Sequence, residues 1–222
     1  IQLSSALSYA PRQGMIHRDI KPGNVMFLDE KGEHALLTDF GLTRMVESSS
    51  SLTGTGVVGT PAYMSPEQDA GKAHEVDRRA DVYSLGVLLY ELLTGTTPFD
   101  CERMKEASFD EFQRLIREEE PPRPSTRLST LDAALDTVAD KHHTDPRTLS
   151  QQIRGELDWI VMKCLEKDRA RRYETANSLA LDIGRHLGNE PVLARPPSAC
   201  RRRRAGNVRP GPMRSCPRCR QR

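Results

Sequence analysis

Long hydrophobic runs are missing from this 222-residue sequence: at no point do eighteen apolar residues follow one another. We therefore expect no membrane-spanning segment in this chain. The N-terminus also lacks a basic stretch followed by an apolar core, so we expect no signal peptide. The five cysteines are odd in number and scattered, which favours reduced thiols and a cytoplasmic setting over a disulfide framework.

Acidic residues are missing from the C-terminal end. From Arg195 to Arg222 there are ten arginines and no acids, which leaves residues 1–194 with 23 of the 33 basic side chains against all 31 acidic ones, a net charge of −8. We expect residues 191–222 to form a disordered Pro- and Arg-rich tail, because this composition cannot bury a core. Arg201 to Arg204 could bind nucleic acid or phosphates, but counter-charge for an acidic body is the commoner explanation, so we expect no nucleic-acid partner.

The sequence does hold a polar loop, His17–Asn24, between two short apolar runs. Within six residues this loop presents an acid, a lysine and an amide: Asp19, Lys21 and Asn24. Catalytic and binding side chains are often found on such loops, which a rigid scaffold of strands and helices holds in place. The alternative for an isolated Asp-x-Lys pair is a solvated ion pair that contributes little to stability.

A second acidic motif, Thr38-Asp39-Phe40-Gly41, places Asp39 twenty residues after Asp19. The apolar runs at 25–28 and 35–38, separated by a turn, predict a β-hairpin with Asp39 at the end of its second strand. Alone, the motif could be a plain turn in which the glycine supplies a positive φ. Two such loops in this order, followed by a third motif at residues 59–67, are improbable as a chance combination of unrelated turns.

These motifs resemble the catalytic and magnesium loops of eukaryotic-type (Hanks-type) serine/threonine protein kinases, and later segments resemble a planctomycete-like bacterial branch. The resemblance implies transfer of the ATP γ-phosphate, with Mg²⁺, to Ser or Thr hydroxyls of protein substrates. Asp19 would then orient the acceptor hydroxyl, and Lys21 would lie against the transferring phosphate. Asn24 and Asp39 would bind Mg²⁺. Met26 would lie under the adenine ring, a position compatible with a plain core methionine.

Residues 42–67 resemble the activation segment of these kinases. In its last part Thr60 would bond toward the catalytic loop and help to select a serine or threonine acceptor. Arg18, directly before Asp19, would pair with a phosphate on this segment and order it. Three hydroxyls are the expected phosphorylation sites: Ser51, Thr53 and Thr55. The alternative is a serine-rich loop whose hydroxyls only keep it soluble.

Six residues have structural parts in the resemblance: His17, Phe40, Gly41, Glu67, Asp81 and Arg172. Glu67 needs a buried cationic partner, because an unpaired buried carboxylate is costly, and Arg172 stands where these kinases keep that partner. Asp81 would accept hydrogen bonds from the backbone of the catalytic loop. The alternative, compatible with this, is an acid that stabilises a helix N-terminus.

Apolar periodicity predicts helices in the second half of the chain. Residues 78–98 contain the stretch Asp81–Gly95, whose apolar positions go nearly all round, and this predicts a fully buried helix ended by Gly95. Further helices are expected at 109–118, 157–165 and 176–187. Residues 125–152 are polar with weak periodicity, and we expect them to form a long link.

The expected fold class is mainly α with a small β-hairpin: the C-terminal lobe of a protein-kinase-like fold over residues 1–190, whose parent fold is α+β and two-lobed. Only sixteen residues precede His17, so the glycine-rich loop, the strand lysine and its glutamate are absent from these 222 residues. We therefore expect a fragment without the ATP-binding N-terminal lobe. Two functions stay open: a kinase, and a catalytically inactive kinase-like lobe that acts as a protein-binding module.

Overall fold

The computed structural model describes residues 3–4, 7, 16–29, 34–39, 61–69, 76–99, 109–131 and 134–196. Two strands, β1 (Val25–Phe27) and β2 (Ala35–Leu37), form an antiparallel hairpin in which Met26 is opposite Leu36. The helices bounded within these ranges are α1 (Pro66–Asp69), α2 (Arg78–Thr94), α3 (Phe109–Glu118), α4 (Pro124–Leu128), α5 (Ala134–Lys141), α6 (Pro146–Ile153), α7 (Glu156–Cys164) and α8 (Ala176–Leu187). The expected fold class, mainly α with a small β-hairpin, is confirmed. None of the described helices is both long and apolar enough to cross a membrane.

Helix α2 is the centre of the lobe, and α4, α7 and α8 pack against it. It begins after Asp77, whose carboxylate accepts a 2.8 Å hydrogen bond from the Arg79 N–H. It ends at Gly95, whose left-handed φ of 73° suits a residue without a Cβ. Eleven of its 17 residues are buried, because a helix that is apolar all round must be covered on every side.

The main apolar cluster joins α2, α7 and α8 to the polar loop at residues 17–24, which we call the catalytic loop after the resemblance. Its buried members include Val82, Leu85 and Leu88 of α2, Ile160 and Cys164 of α7, Leu179 of α8, and Ile20. Side chains alternate in direction along extended backbone, so Ile20 enters this core while its neighbours Asp19 and Lys21 are partly exposed. The apolar core therefore anchors, through Ile20, the loop that carries the candidate catalytic residues.

The expected long link at 125–152 was wrong, because most of this segment is helical. Helices α4, α5 and α6 bury a cluster of their own, formed by Leu128, Val138, Ala139, Leu149 and Ile153. Short helices need only one or two apolar positions each to form such a cluster. Most of the other residues in these helices are polar, so the sequence shows no clear helical periodicity.

The chain continues to pack against the lobe after residue 190. Val192 is 4% exposed and belongs to the main apolar cluster. The backbone N–H groups of Leu193 and Ala194 donate to the buried Asp182 carboxylate of α8 at 2.6 and 2.8 Å. These contacts lie within residues 191–222, where the sequence predicts a tail, and the position of the domain boundary stays a prediction.

Candidate active site

The backbone of the catalytic loop is hydrogen-bonded to Asp81 in the first turn of α2. Asp81 accepts a 2.9 Å hydrogen bond from the backbone N–H of His17 at Oδ2 and a 2.8 Å bond from that of Arg18 at Oδ1. Burial raises the pKa of the Asp81 carboxyl above its usual value, and the two backbone donors oppose that shift. Asp81 thus makes the backbone contacts that the resemblance implies.

The His17 ring connects this loop to the strand that precedes Asp39. His17 is fully buried; its Nδ1 accepts from the Asp19 N–H at 3.3 Å, and its Nε2 lies 2.8 Å from the Thr38 carbonyl oxygen. Because Nδ1 accepts, the ring hydrogen is on Nε2, which donates to Thr38. The His17 side chain therefore links the catalytic loop to the end of β2.

Asp19, Lys21 and Asn24 lie together in one hydrogen-bonded cluster. The Lys21 ammonium is 2.8 Å from Asp19 Oδ2. The buried Asn24 donates from Nδ2 to the Asp19 carbonyl at 2.7 Å and to Asp19 Oδ2 at 3.0 Å. Since its amide nitrogen faces Asp19, the Asn24 amide oxygen faces away from that carboxylate. The cluster combines a base, a cation and a neutral oxygen donor.

Asp39 is held next to this cluster through Thr38. The N–H and the hydroxyl of Thr38 both donate to the Asn24 carbonyl oxygen, at 2.9 and 3.2 Å. Asp39 follows, exposed and with a left-handed φ of 61°, a conformation that costs energy for a non-glycine residue and is enriched at functional sites. In the described part of the chain no three His, Cys, Asp or Glu side chains are grouped to hold a metal ion. A cation shared by Asn24 and Asp39 would need further ligands from phosphates or water.

The hairpin presents an apolar face beside the loop. Met26 and Leu36 are opposite each other across the two strands and are 56% and 46% exposed. Residues opposite each other point to the same face of a ribbon, so the two side chains form a continuous apolar surface. A flat apolar ring could pack there.

Glu67 and Arg172 form a buried bidentate ion pair. The two guanidinium nitrogens donate to the two carboxylate oxygens at 2.7 and 2.9 Å, and the side chains are 8% and 0% exposed. The other Arg172 N–H groups donate to the carbonyls of Glu166, Lys167 and Arg79, so all five of its donors are used. The arginine expected for Glu67 is its partner in the structure.

Gln68, which the sequence reasoning did not select, contacts the catalytic loop directly. Its side-chain amide donates to the Arg18 carbonyl oxygen at 2.8 Å. This contact joins residues fifty positions apart, so no local pattern in the sequence could have indicated it.

Some of the expected site residues lie outside the described residues: Phe40, Gly41, Ser51, Thr53, Thr55 and Thr60. The roles given to them in substrate selection and phosphorylation stay predictions. For Arg18 the structure describes the backbone contacts, and its pairing with a phosphate also stays a prediction.

Comparisons with known proteins agree on one family. The profile described as "Protein kinase domain" matches residues 1–182. A probable serine/threonine-protein kinase of Streptomyces coelicolor is 38% identical over 196 residues, covering 87% of this chain and 24% of that protein. The serine/threonine-protein kinase PknB of Mycobacterium tuberculosis is 36% identical over 191 residues, covering 85% and 26%.

Among solved structures, a double mutant of the Mycobacterium tuberculosis PknI kinase domain has a similar fold. The TM-score is 0.50 at 23% identity, with 84% of this chain and 51% of that one covered. The chain spans about a quarter of the length of the curated relatives it matches. With these matches, the chain belongs to the protein kinase family, in its Hanks-type serine/threonine branch.

Proposed function

We propose that this chain is the C-terminal lobe of an ATP- and Mg²⁺-dependent serine/threonine protein kinase. The observation that carries the proposal is the cluster of Asp19, Lys21 and Asn24, tied through Thr38 to Asp39. Phosphoryl transfer asks a protein mainly to position the reactants and to neutralise charge. A base, a cation and two oxygen ligands in one loop cluster meet that demand.

In this proposal Asp19 accepts the hydrogen bond of the substrate hydroxyl and orients it for in-line attack. Lys21, which contacts Asp19 Oδ2 at 2.8 Å, neutralises negative charge on the transferring phosphate. A lysine at this position supports Ser and Thr over Tyr as acceptors, and Thr60 adds to that selection. The substrates are proteins with Ser or Thr acceptors.

The residues fit a magnesium nucleotide. The Asn24 amide oxygen and the Asp39 carboxylate would hold Mg²⁺, which neutralises phosphate charge when bound. Met26 and Leu36 form the apolar floor for the adenine ring. Because ATP is supplied inside the cell, we propose that this lobe lies in the cytoplasm.

The test is a fusion of this chain to the N-terminal lobe of PknB from Mycobacterium tuberculosis, assayed for transfer of radiolabelled γ-phosphate to a generic basic protein. We expect phosphoserine and phosphothreonine in the product, far slower transfer by the 222-residue chain alone, and none by the N-terminal lobe alone. A folded fusion that binds the protein but never labels it would favour the alternative, a kinase-like binding module.

A further inference from the structure

We propose that Gln68 is a positioning residue for Asp19. Through hydrogen bonds to Ser65 and Arg18, it would connect residues 65–67 to the catalytic loop. The side chain of Gln68 is half-buried on α1, directly after the residue that the Arg172 ion pair fixes. Its side-chain amide contacts Ser65 on one side and the Arg18 carbonyl of the catalytic loop on the other.

The orientation of the Gln68 amide follows from its partners. Gln68 Oε1 accepts from the Ser65 N–H at 3.2 Å and from the Ser65 hydroxyl at 2.9 Å. A backbone N–H can only donate, so the atom that faces it must be the amide oxygen. The amide nitrogen then faces the Arg18 carbonyl oxygen, 2.8 Å away.

The Arg18 carbonyl belongs to the peptide bond directly before Asp19. Gln68 holds the oxygen of this peptide, and His17 Nδ1 accepts from its N–H at 3.3 Å. The N–H of Arg18 is itself held by Asp81, and Arg18 has a left-handed φ of 69°. A non-glycine residue keeps this conformation only where its surroundings determine it. Among the described residues, the side chains of Gln68, His17 and Asp81 hold the backbone on either side of Arg18.

The consequence is a fixed direction for the Asp19 side chain. The plane of a peptide sets the direction of the next Cα–Cβ bond, so a rotation about the Arg18–Asp19 peptide moves the carboxylate away from the acceptor hydroxyl. Misplacement of a reacting group by about 1 Å can cost roughly a hundred-fold in rate. The kinetic part of this inference rests on the proposed function, whereas the positioning of the loop does not.

The test has two arms. In the 222-residue chain, hydrogen exchange at residues 16–20 is compared for the parent, Gln68→Glu and Gln68→Ala. Glutamate keeps the shape and the acceptor for Ser65 but cannot donate to Arg18 when ionised. The control is Gln151→Glu, the same charge change at an exposed position of α6. In the PknB fusion, kcat and the KM for ATP are measured for the same variants.

We expect faster exchange in the loop with unchanged exchange in α2, a kcat lowered about ten- to a hundred-fold, and a KM for ATP within about two-fold of the parent. Unchanged loop exchange in both Gln68 variants would overturn the inference. Faster exchange throughout α2 would also overturn it, since that marks a purely structural residue. If the loop alone is loosened while the parent fusion transfers no phosphate, the positioning stands and the proposed function fails.

Discussion

At the scale of single residues, the ion pair between Glu67 and Arg172 is the clearest stability prediction. Removing one partner leaves the other charge buried and unpaired, which costs about 3–5 kcal/mol. Arg172→Ala should therefore lower the free energy of unfolding by this amount, measured by urea titration of the 222-residue chain. Arg172 also donates to three backbone carbonyls, and their loss acts in the same direction.

The neighbouring arginine is the matched control. Arg171 is exposed, and it forms an ion pair with Glu166 at an N···O distance of 3.4 Å. Arg171→Ala should change the free energy of unfolding by less than about 0.5 kcal/mol. Equal effects of the two substitutions would mean that the pair with Glu67 contributes no more than a surface contact.

Between elements, α2 approaches the C-terminal end of α7 closely at Gly86. A Cβ built on Gly86 would overlap Cys164 Cβ and lie 3.3 Å from Leu165 Cδ2. Gly86→Ala should lower the free energy of unfolding by about 1–3 kcal/mol through overpacking. Gly184 in α8 has nothing within 4 Å of its Cβ position, so Gly184→Ala should raise stability by about 0.5–1 kcal/mol. Thermal unfolding compares the two, and a Gly86→Ala variant as stable as Gly184→Ala would contradict this packing.

The Asp182 carboxylate holds the backbone of the segment after α8, beside the burial of Val192 in the main apolar cluster. Burial opposes ionisation of Asp182, but hydrogen bonds from Leu193, Tyr173, Ala194 and Arg185 prevail and hold the pKa of its carboxyl below the usual value. A lowered folded-state pKa contributes stability above the unfolded value near about 4, and this contribution is lost as pH falls through the folded value.

Asp182→Asn should accordingly lower the free energy of unfolding at pH 7 by about 1.5–3 kcal/mol, as for hydrogen bonds to a charged group. The difference from the parent should shrink when urea titrations are repeated at about pH 3, where the unfolded carboxyl is protonated. Asp140→Asn, at an exposed position of α5, serves as the control. A difference that is the same at both pH values would show that ionisation of Asp182 does not stabilise this attachment.

The elements differ in how far the sequence predicts them. Helix α2 was predictable because its apolar residues continue all round and Gly95 ends it. Helices α4 to α6 were not predicted, because their apolar residues are few and scattered among polar ones. A local signal was present: Asp145-Pro146 is an N-cap followed by proline at the first helical position, and the Asp145 carboxylate accepts from two backbone N–H groups of α6.

For the molecule as a whole, the motifs predicted which residues lie together in the loop better than they predicted the long-range contacts that hold them. Asp19, Lys21 and Asn24 are close in sequence, so their cluster followed from local order. The Asp81 contacts to the loop came only through resemblance. Gln68 was not predicted by either route, because its contact to Arg18 depends on how α1 is held by Glu67 and the distant Arg172. Long-range contacts of this kind appear only once the chain is folded.

We expect Asp19 to orient the acceptor hydroxyl, and the rate of phosphate transfer by the PknB fusion with Asp19→Asn measures this role. Asparagine keeps the size of the side chain but removes the carboxylate. We predict a rate lowered about 10²–10⁴-fold, the usual contribution of a positioned base, with an unchanged melting temperature. Asp136→Asn, an exposed position of α5, should transfer phosphate at the parent rate. A folded Asp19→Asn fusion as fast as its parent would show that Asp19 does not orient the acceptor hydroxyl.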